Sequence, residues 1–280
     1  MREIDVGRIK SAVADLAVYA NLFLRKDIRR ALKKAHLNEK NAKAKNILKI
    51  LLENADIASL EKIPICQDTG MATVFLEIGQ DVRITGGDLN RAIDDGIRLG
   101  YKRGFLRKSV VSDPLTRANT GDNSPAVSHI KIIRGEKIKI TVAPKGFGSE
   151  NKTLTRMFKP TDKPEDIENF VIDAVRRAGP DACPPYIIGV GIGGTLDKAC
   201  LLAKEALLRP IDKRNGKRHI AAMETDLLRK INGLKIGPMG LGGRATCLGV
   251  SIEVFPTHIA GLPVCVSVSC HATRSASITL

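Results

Sequence analysis

The sequence predicts a mixed α/β (α+β) fold, with a helical N-terminal layer packed on a mixed-sheet α/β core. Apolar residues recur at helical spacing through the first sixty positions. From Met71 onward, strand-like stretches alternate with helical ones, which argues for helices packed on a sheet. The hydrophobic fraction, 43% of 280 residues, is enough to bury a core.

The helical part is expected to run to about residue 62 and the core over about 63–280, as one domain. Ile9, Val13, Leu16 and Ala20 mark one helix face, and Ile47, Leu48, Leu51, Leu52 and Ala55 another. Thr73 to Gly79 reads as a strand closed by glycine. Asp88 is placed to cap a helix running to Leu99. Ile138, Ile140 and Val142 alternate with Lys139 and Thr141, the period of a half-buried strand, which leads into a glycine loop over 144–149. Pro164 to Ala178 reads as a helix, Tyr186 to Ile192 as a buried strand, and Leu196 to Leu208 as the next helix. Gly249 to Phe255 and Pro263 to Ser269 are two late strands. All strands are expected in one sheet.

The net charge of +15 admits nucleic acid, a membrane surface, an acidic partner or an anionic substrate. Only ten Phe and Tyr residues and no Trp occur, and no basic patch is interleaved with aromatics for base stacking. A solvated basic surface, which also attracts a dicarboxylate, is the better account, and nucleic acid is not expected as a partner. No run of about 18 apolar residues would span a bilayer. The first residues lack an apolar signal core, so the expected compartment is the cytoplasm.

Six cysteines in such a protein should be reduced thiols or ligands. Cys66, in Ile65-Cys-Gln-Asp-Thr-Gly70, Cys183, in Asp181-Ala-Cys-Pro-Pro185, and Cys270, in Ser269-Cys-His-Ala-Thr-Arg274, sit at element edges. Loops there could aim thiolates at a shared point. Cys200, Cys247 and Cys265 have apolar or small neighbours and read as packing residues. Glycine runs at 146–148, 191–194 and 237–243 match no nucleotide-binding spacing. They suit either close approach to an anion or tight turns between strand and helix.

Ile65-Cys-Gln-Asp-Thr-Gly70, Asn119-Thr-Gly-Asp-Asn-Ser-Pro-Ala126, Lys145-Gly-Phe-Gly-Ser-Glu-Asn-Lys152, Gly189-Val-Gly-Ile-Gly-Gly-Thr195, Gly240-Leu-Gly-Gly243, Thr257-His-Ile-Ala260 and Ser269-Cys-His-Ala272 resemble class I fumarate hydratases in order and spacing. L-tartrate dehydratase is a close relative of that family. The resemblance covers essentially the whole chain. It implies a hydro-lyase α subunit with a [4Fe–4S] cluster held by Cys66, Cys183 and Cys270, one iron being left without a protein ligand. Asp68 would be catalytic, and Gln67, Arg107, Gly146, Gly148 and His258 would bind substrate, with His271 and His129 as further candidates. The resemblance also implies a separate β subunit, in an α2β2 assembly, that completes the site. The isolated chain is then expected to be inactive. Fumarate and L-malate are the expected substrates, with L-tartrate as the alternative; a basic nucleic-acid-binding protein without catalysis is the competing class. Gly146-Phe-Gly148 stands where many relatives have three glycines, and Thr273 where arginine is frequent.

Overall fold

A computed structural model describes residues 2–280. A short strand, β1 (Arg2–Asp5), leads into α1 (Val6–Leu22), whose first turn is capped by the Asp5 carboxylate through the Gly7 amide. Two helices follow, α2 (Lys26–Asn38) and α3 (Ala42–Glu61). Then come β2 (Met71–Gly79), β3 (Val82–Thr85) and α4 (Leu89–Arg103). Asp88 caps α4 as expected, its carboxylate accepting the Arg91 amide at 2.7 Å. The chain continues with β4 (Val127–Ile133), β5 (Ile138–Lys145) and one helical turn, α5 (Phe147–Glu150). The stretch over 144–149 read as a glycine loop is therefore strand up to Lys145 and a helical turn from Phe147. The remaining elements are β6 (Leu154–Phe158), α6 (Pro164–Ala178), β7 (Tyr186–Gly193), α7 (Leu196–Leu208), α8 (Arg218–Gly233), β8 (Cys247–Phe255), β9 (Leu262–Ser269) and β10 (Ala276–Thr279). The mixed α/β class is as predicted.

The strands do not share one sheet. They form a two-stranded sheet, β1–β3, and two four-stranded sheets, in two compact units. The first unit comprises Met1–Arg25, Asn54–Phe147 and Arg274–Leu280. Its main sheet runs β10-β5-β2-β4, with β2 antiparallel to β5 and parallel to β4. Val74, Leu76 and Ile78 of β2 lie opposite Val142, Ile140 and Ile138 of β5, and all six are buried. Ile9, Val13 and Ala17 of α1 and Ile93 and Ile97 of α4 complete that core. This is the alternation read from the sequence, turned inward on one face.

The second unit comprises Lys26–Glu53 and Gly148–Thr273, so the N-terminal helices are divided between the units. Its sheet runs β6-β9-β7-β8, with β7 parallel to β8 and antiparallel to β9. Both faces of β7 are covered, which is why it reads as a continuous apolar run. Ile188 and Val190 face the core built with α6 and α8. On the other face a Cβ at Gly189 would stand 2.2 Å from the Ala203 carbonyl oxygen, and one at Gly191 2.0 Å from that of Ala199. These glycines seat α7 directly on the strand. Unlike the anion-cradle reading, this assigns Gly191 to packing.

Candidate functional site

In the first unit, the loop over 66–70 is pinned from several sides. The Ile65 amide donates to the Asn21 carbonyl at 2.9 Å, and Asn54 Nδ2 donates to the Ile65 carbonyl at 2.9 Å. Cys66 follows, half-buried, with its thiol 3.6 Å from Gln67 Oε1; the Gln67 side chain is exposed. Asp68 Oδ1 accepts the Gly70 amide at 3.0 Å, an Asx turn, as the spacing before Thr-Gly suggests. Its other oxygen, Oδ2, accepts the Phe147 amide at 2.9 Å. That second bond requires Gly146, where a Cβ would stand 2.8 Å from Oδ2.

Arg107 adjoins the loop through its backbone. Its amide donates to Thr69 Oγ1 at 2.9 Å, and its side chain is exposed and makes no ion pair among the described residues. Beneath lies Asn123, fully buried at positive φ. Its Oδ1 accepts the Ser109 and Val110 amides at 2.6 and 3.1 Å, while its Nδ2 donates to the Gly70 carbonyl at 3.2 Å. The Tyr101 hydroxyl lies 2.9 Å from both the Thr69 and Gly70 carbonyls, and burial pushes its pKa up. Arg274, 5% exposed, donates from Nη2 to the Asp68 carbonyl at 2.8 Å and from Nη1 to Asn21 Oδ1 at 2.9 Å. Asn123 was visible only as part of a polar–glycine motif, and Asn21, Tyr101 and Arg274 carried no local signal of this role.

In the second unit, a 3-10 turn over Gly179–Ala182 delivers Cys183 in the left-handed conformation, φ 53 and ψ 69. The His271 amide donates to the Cys183 carbonyl at 3.2 Å, and His271 Nδ1 lies 3.1 Å from the same oxygen. The residue before His271 is Cys270, so the two cysteine segments are tied together. The Thr273 amide in turn donates to the Cys270 carbonyl at 3.1 Å. Lys152 pairs with Asp181 at 2.8 Å, two residues before Cys183. Gly148 is unconstrained by comparison with Gly146, since a Cβ there would meet only the Asp181 carbonyl, at 3.6 Å. His258 lies exposed in the turn between β8 and β9, where its Nδ1 accepts the Ala260 amide at 3.1 Å. His129, in β4, packs against Phe75 with ring centroids 5.3 Å apart.

Of the three cysteines read as packing residues, Cys200 is half-buried, as are Cys66, Cys183 and Cys270. Cys247 and Cys265 are buried, and Cys200 packs against the cluster of Ala199, Ala203 and Cys265. Burial pushes the Cys247 thiol up to about 12 and raises Cys265 as well, so both stay protonated. Cys66, Cys183 and Cys270 are half-buried on loops and form no disulfide among the described residues. Among the described residues, no group of three or more His, Cys, Asp and Glu side chains is gathered as a metal site.

Gly243, in the 237–243 run, packs closely on α2–α3, since a Cβ there would stand 2.6 Å from Ala44 Cβ and 2.8 Å from Glu39 Oε2. Glu39, 4% exposed, accepts the Lys40 and Asn41 amides at 2.9 Å each and the Arg244 amide at 2.6 Å. Burial alone would raise this carboxyl, but the amides outweigh it and hold it below its usual value.

No helix of the described residues is long and apolar enough to cross a membrane. A family model described as Fumarate hydratase (Fumerase) matches residues 10–279. A Methanocaldococcus jannaschii protein named "Putative L(+)-tartrate dehydratase subunit alpha" is 42% identical over 277 residues, 96% of each chain. The L(+)-tartrate dehydratase subunit alpha of Escherichia coli is 28% identical over 276 residues, 98% of this chain and 91% of the relative. Its counterpart in Shigella sonnei matches to the same extent.

Proposed function

The chain belongs to the fumarate hydratase (fumerase) family of hydro-lyases, and from that premise we propose that it is the α subunit of a two-subunit enzyme hydrating fumarate to L-malate. The observation that carries the site is the 66–70 loop, whose Asp68, Thr69 and Gly70 are held by hydrogen bonds while Arg107, joined to Thr69 through its amide, presents an exposed guanidinium with no ion pair among the described residues. An exposed arginine without an ion pair suits a carboxylate of the substrate, which it would bind by two parallel charge-assisted bonds.

Cys66, Cys183 and Cys270 would hold a [4Fe–4S] cluster. Their half-buried loop settings, against the protonated packing of Cys247 and Cys265, support that choice of ligands. When bound, the cluster supplies Lewis acidity toward substrate oxygens. Asp68 would orient the transferred hydroxyl and hold its proton at a carboxylate oxygen, each oxygen keeping a lone pair beyond its amide bond. Gln67, the 146–148 backbone and His258 would complete the recognition of substrate from this chain. A β subunit, in an α2β2 assembly, would supply the rest, in keeping with the "subunit alpha" names of the relatives. Those same names favour a second reading, in which the substrate is L-tartrate.

Anaerobic co-expression with the partner subunit, followed by parallel assays on L-malate, fumarate and L-tartrate, tests both readings. Turnover of malate and fumarate supports the first, and turnover of tartrate alone the second. An iron-loaded pair that dehydrates neither substrate overturns the hydro-lyase assignment.

A further inference from the structure

Among the described residues, Arg274 is a buried guanidinium with no carboxylate partner: its bonds go to the Asn21 amide oxygen and the Asp68 carbonyl, and its Nε has no acceptor. Burying a cation in this way is costly unless something nearby answers the charge. The geometry shows what the cost maintains. The Ile65 amide is attached to the Asn21 carbonyl, and the Asp68 carbonyl is attached through Arg274 to the Asn21 side chain. Asn21 is itself fully buried, with its Nδ2 donating to the Ala17 carbonyl at 2.9 Å, which turns its oxygen toward Arg274. Cys66 and Gln67 are thus bracketed between two attachments to one residue of α1. Around Gly146, the place of a missing Cβ lies 2.8 Å from Asp68 Oδ2 and 3.6 Å from Arg274 Nη2, so the cation also borders the carboxylate without pairing to it.

We infer that Arg274 is a positioning residue for the Cys66 loop: it closes the bracket that fixes Cys66 and Asp68, and it supplies the positive charge that the anionic form of that loop balances. The inference rests on the proposed role of Cys66 and Asp68, but its structural half is measurable without iron. The neutral variant Arg274→Gln and the charge-keeping Arg274→Lys separate the two components.

Hydrogen exchange is measured on the iron-free chain, and iron and sulfide on the anaerobically reconstituted chain. In Arg274→Gln, exchange over 65–70 should rise about tenfold, the loss expected for a hydrogen bond from a charged donor. Peptides from α4 and β5 should be unchanged. Arg274→Lys should give intermediate exchange and keep more iron than Arg274→Gln. Wild-type exchange over 65–70 in both variants, or a rise spread evenly through the unit, overturns the inference. Should Arg274→Gln fail to fold, the distribution of exchange in Arg274→Lys decides by the same criterion. Parent protein that takes up no iron counts against the cluster reading, while the exchange result still decides the role of Arg274.

Discussion

Gly146 and Asp68 approach so closely that the smallest side chain at position 146 would collide with the Asp68 carboxylate, its Cβ standing 2.8 Å from Oδ2. The same contact lets the Phe147 amide reach that oxygen. A backbone position with no visible chemistry thus governs where a candidate catalytic carboxylate points.

Gly146→Ala should therefore lower kcat of the assembled enzyme about a hundredfold, the usual scale for moving a reacting group by about 1 Å. Thermal stability should change little, because the site is half-exposed. Gly216→Ala serves as the control, since a Cβ there would meet nothing within 4 Å. Equal activity in the two variants would remove Asp68 from the mechanism.

Asn123→Ala should destabilise the chain by about 2 to 4 kcal/mol, because it strips partners from three backbone groups and leaves Ala at positive φ. Urea unfolding measures this directly. A loss below about 0.5 kcal/mol, the range of surface substitutions, would mean that the loop does not depend on this amide.

Glu224 is fully buried, receives Arg209, and accepts the Ile252 amide at 2.8 Å and the Asn215 amide at 3.0 Å. Removing it by Glu224→Ala strips the acceptor from the Ile252 and Asn215 amides and leaves Arg209 with Glu253, 3.3 Å away, as a carboxylate partner, at a cost of about 2 to 4 kcal/mol. Melting of the variant should fall accordingly, whereas Asp212→Ala, which breaks the exposed Arg30 pair, should shift it by less than about 1 kcal/mol.

The Cys247 thiol is raised by burial to about 12, so the folded state holds its proton where the unfolded chain, at about 8.5, has released it. Below about pH 8.5 both states are protonated and this contribution is fully present. Between there and about 12 the unfolded state binds fewer protons, and stability falls as pH rises, by up to about 1.4 kcal/mol per unit. Cys247→Ala should flatten part of this alkaline limb in melts from pH 8 to 11. In iron-free protein at pH 8, iodoacetamide should label Cys66, Cys183 and Cys270 before Cys247 or Cys265. The reverse order would contradict the division of the thiols.

What could be read from the residues alone was whatever local chemistry encodes. The Asp88 cap, the β5 alternation and the limits of α6 followed from spacing and side-chain type. The family followed from ordered motifs. Strand β4 escaped notice because it is an edge strand with Val127, Ile130 and Ile132 exposed, so burial never imposed a clean alternation on it. The separation into sheets was equally hidden, since the pattern of a strand records that a face is covered but not what covers it.

The sequence by itself determined the mixed α/β class, the family and the residue types from which the site is drawn. Only the tertiary structure decided that Gly191 seats a helix while Gly146 admits a carboxylate, and that Arg274 and Asn21 bracket Cys66. The physical reason is distance along the chain. Helical and strand periods are written in neighbours a few residues apart, whereas Arg274 and Asp68 are 206 positions apart and meet only because folding closes that loop.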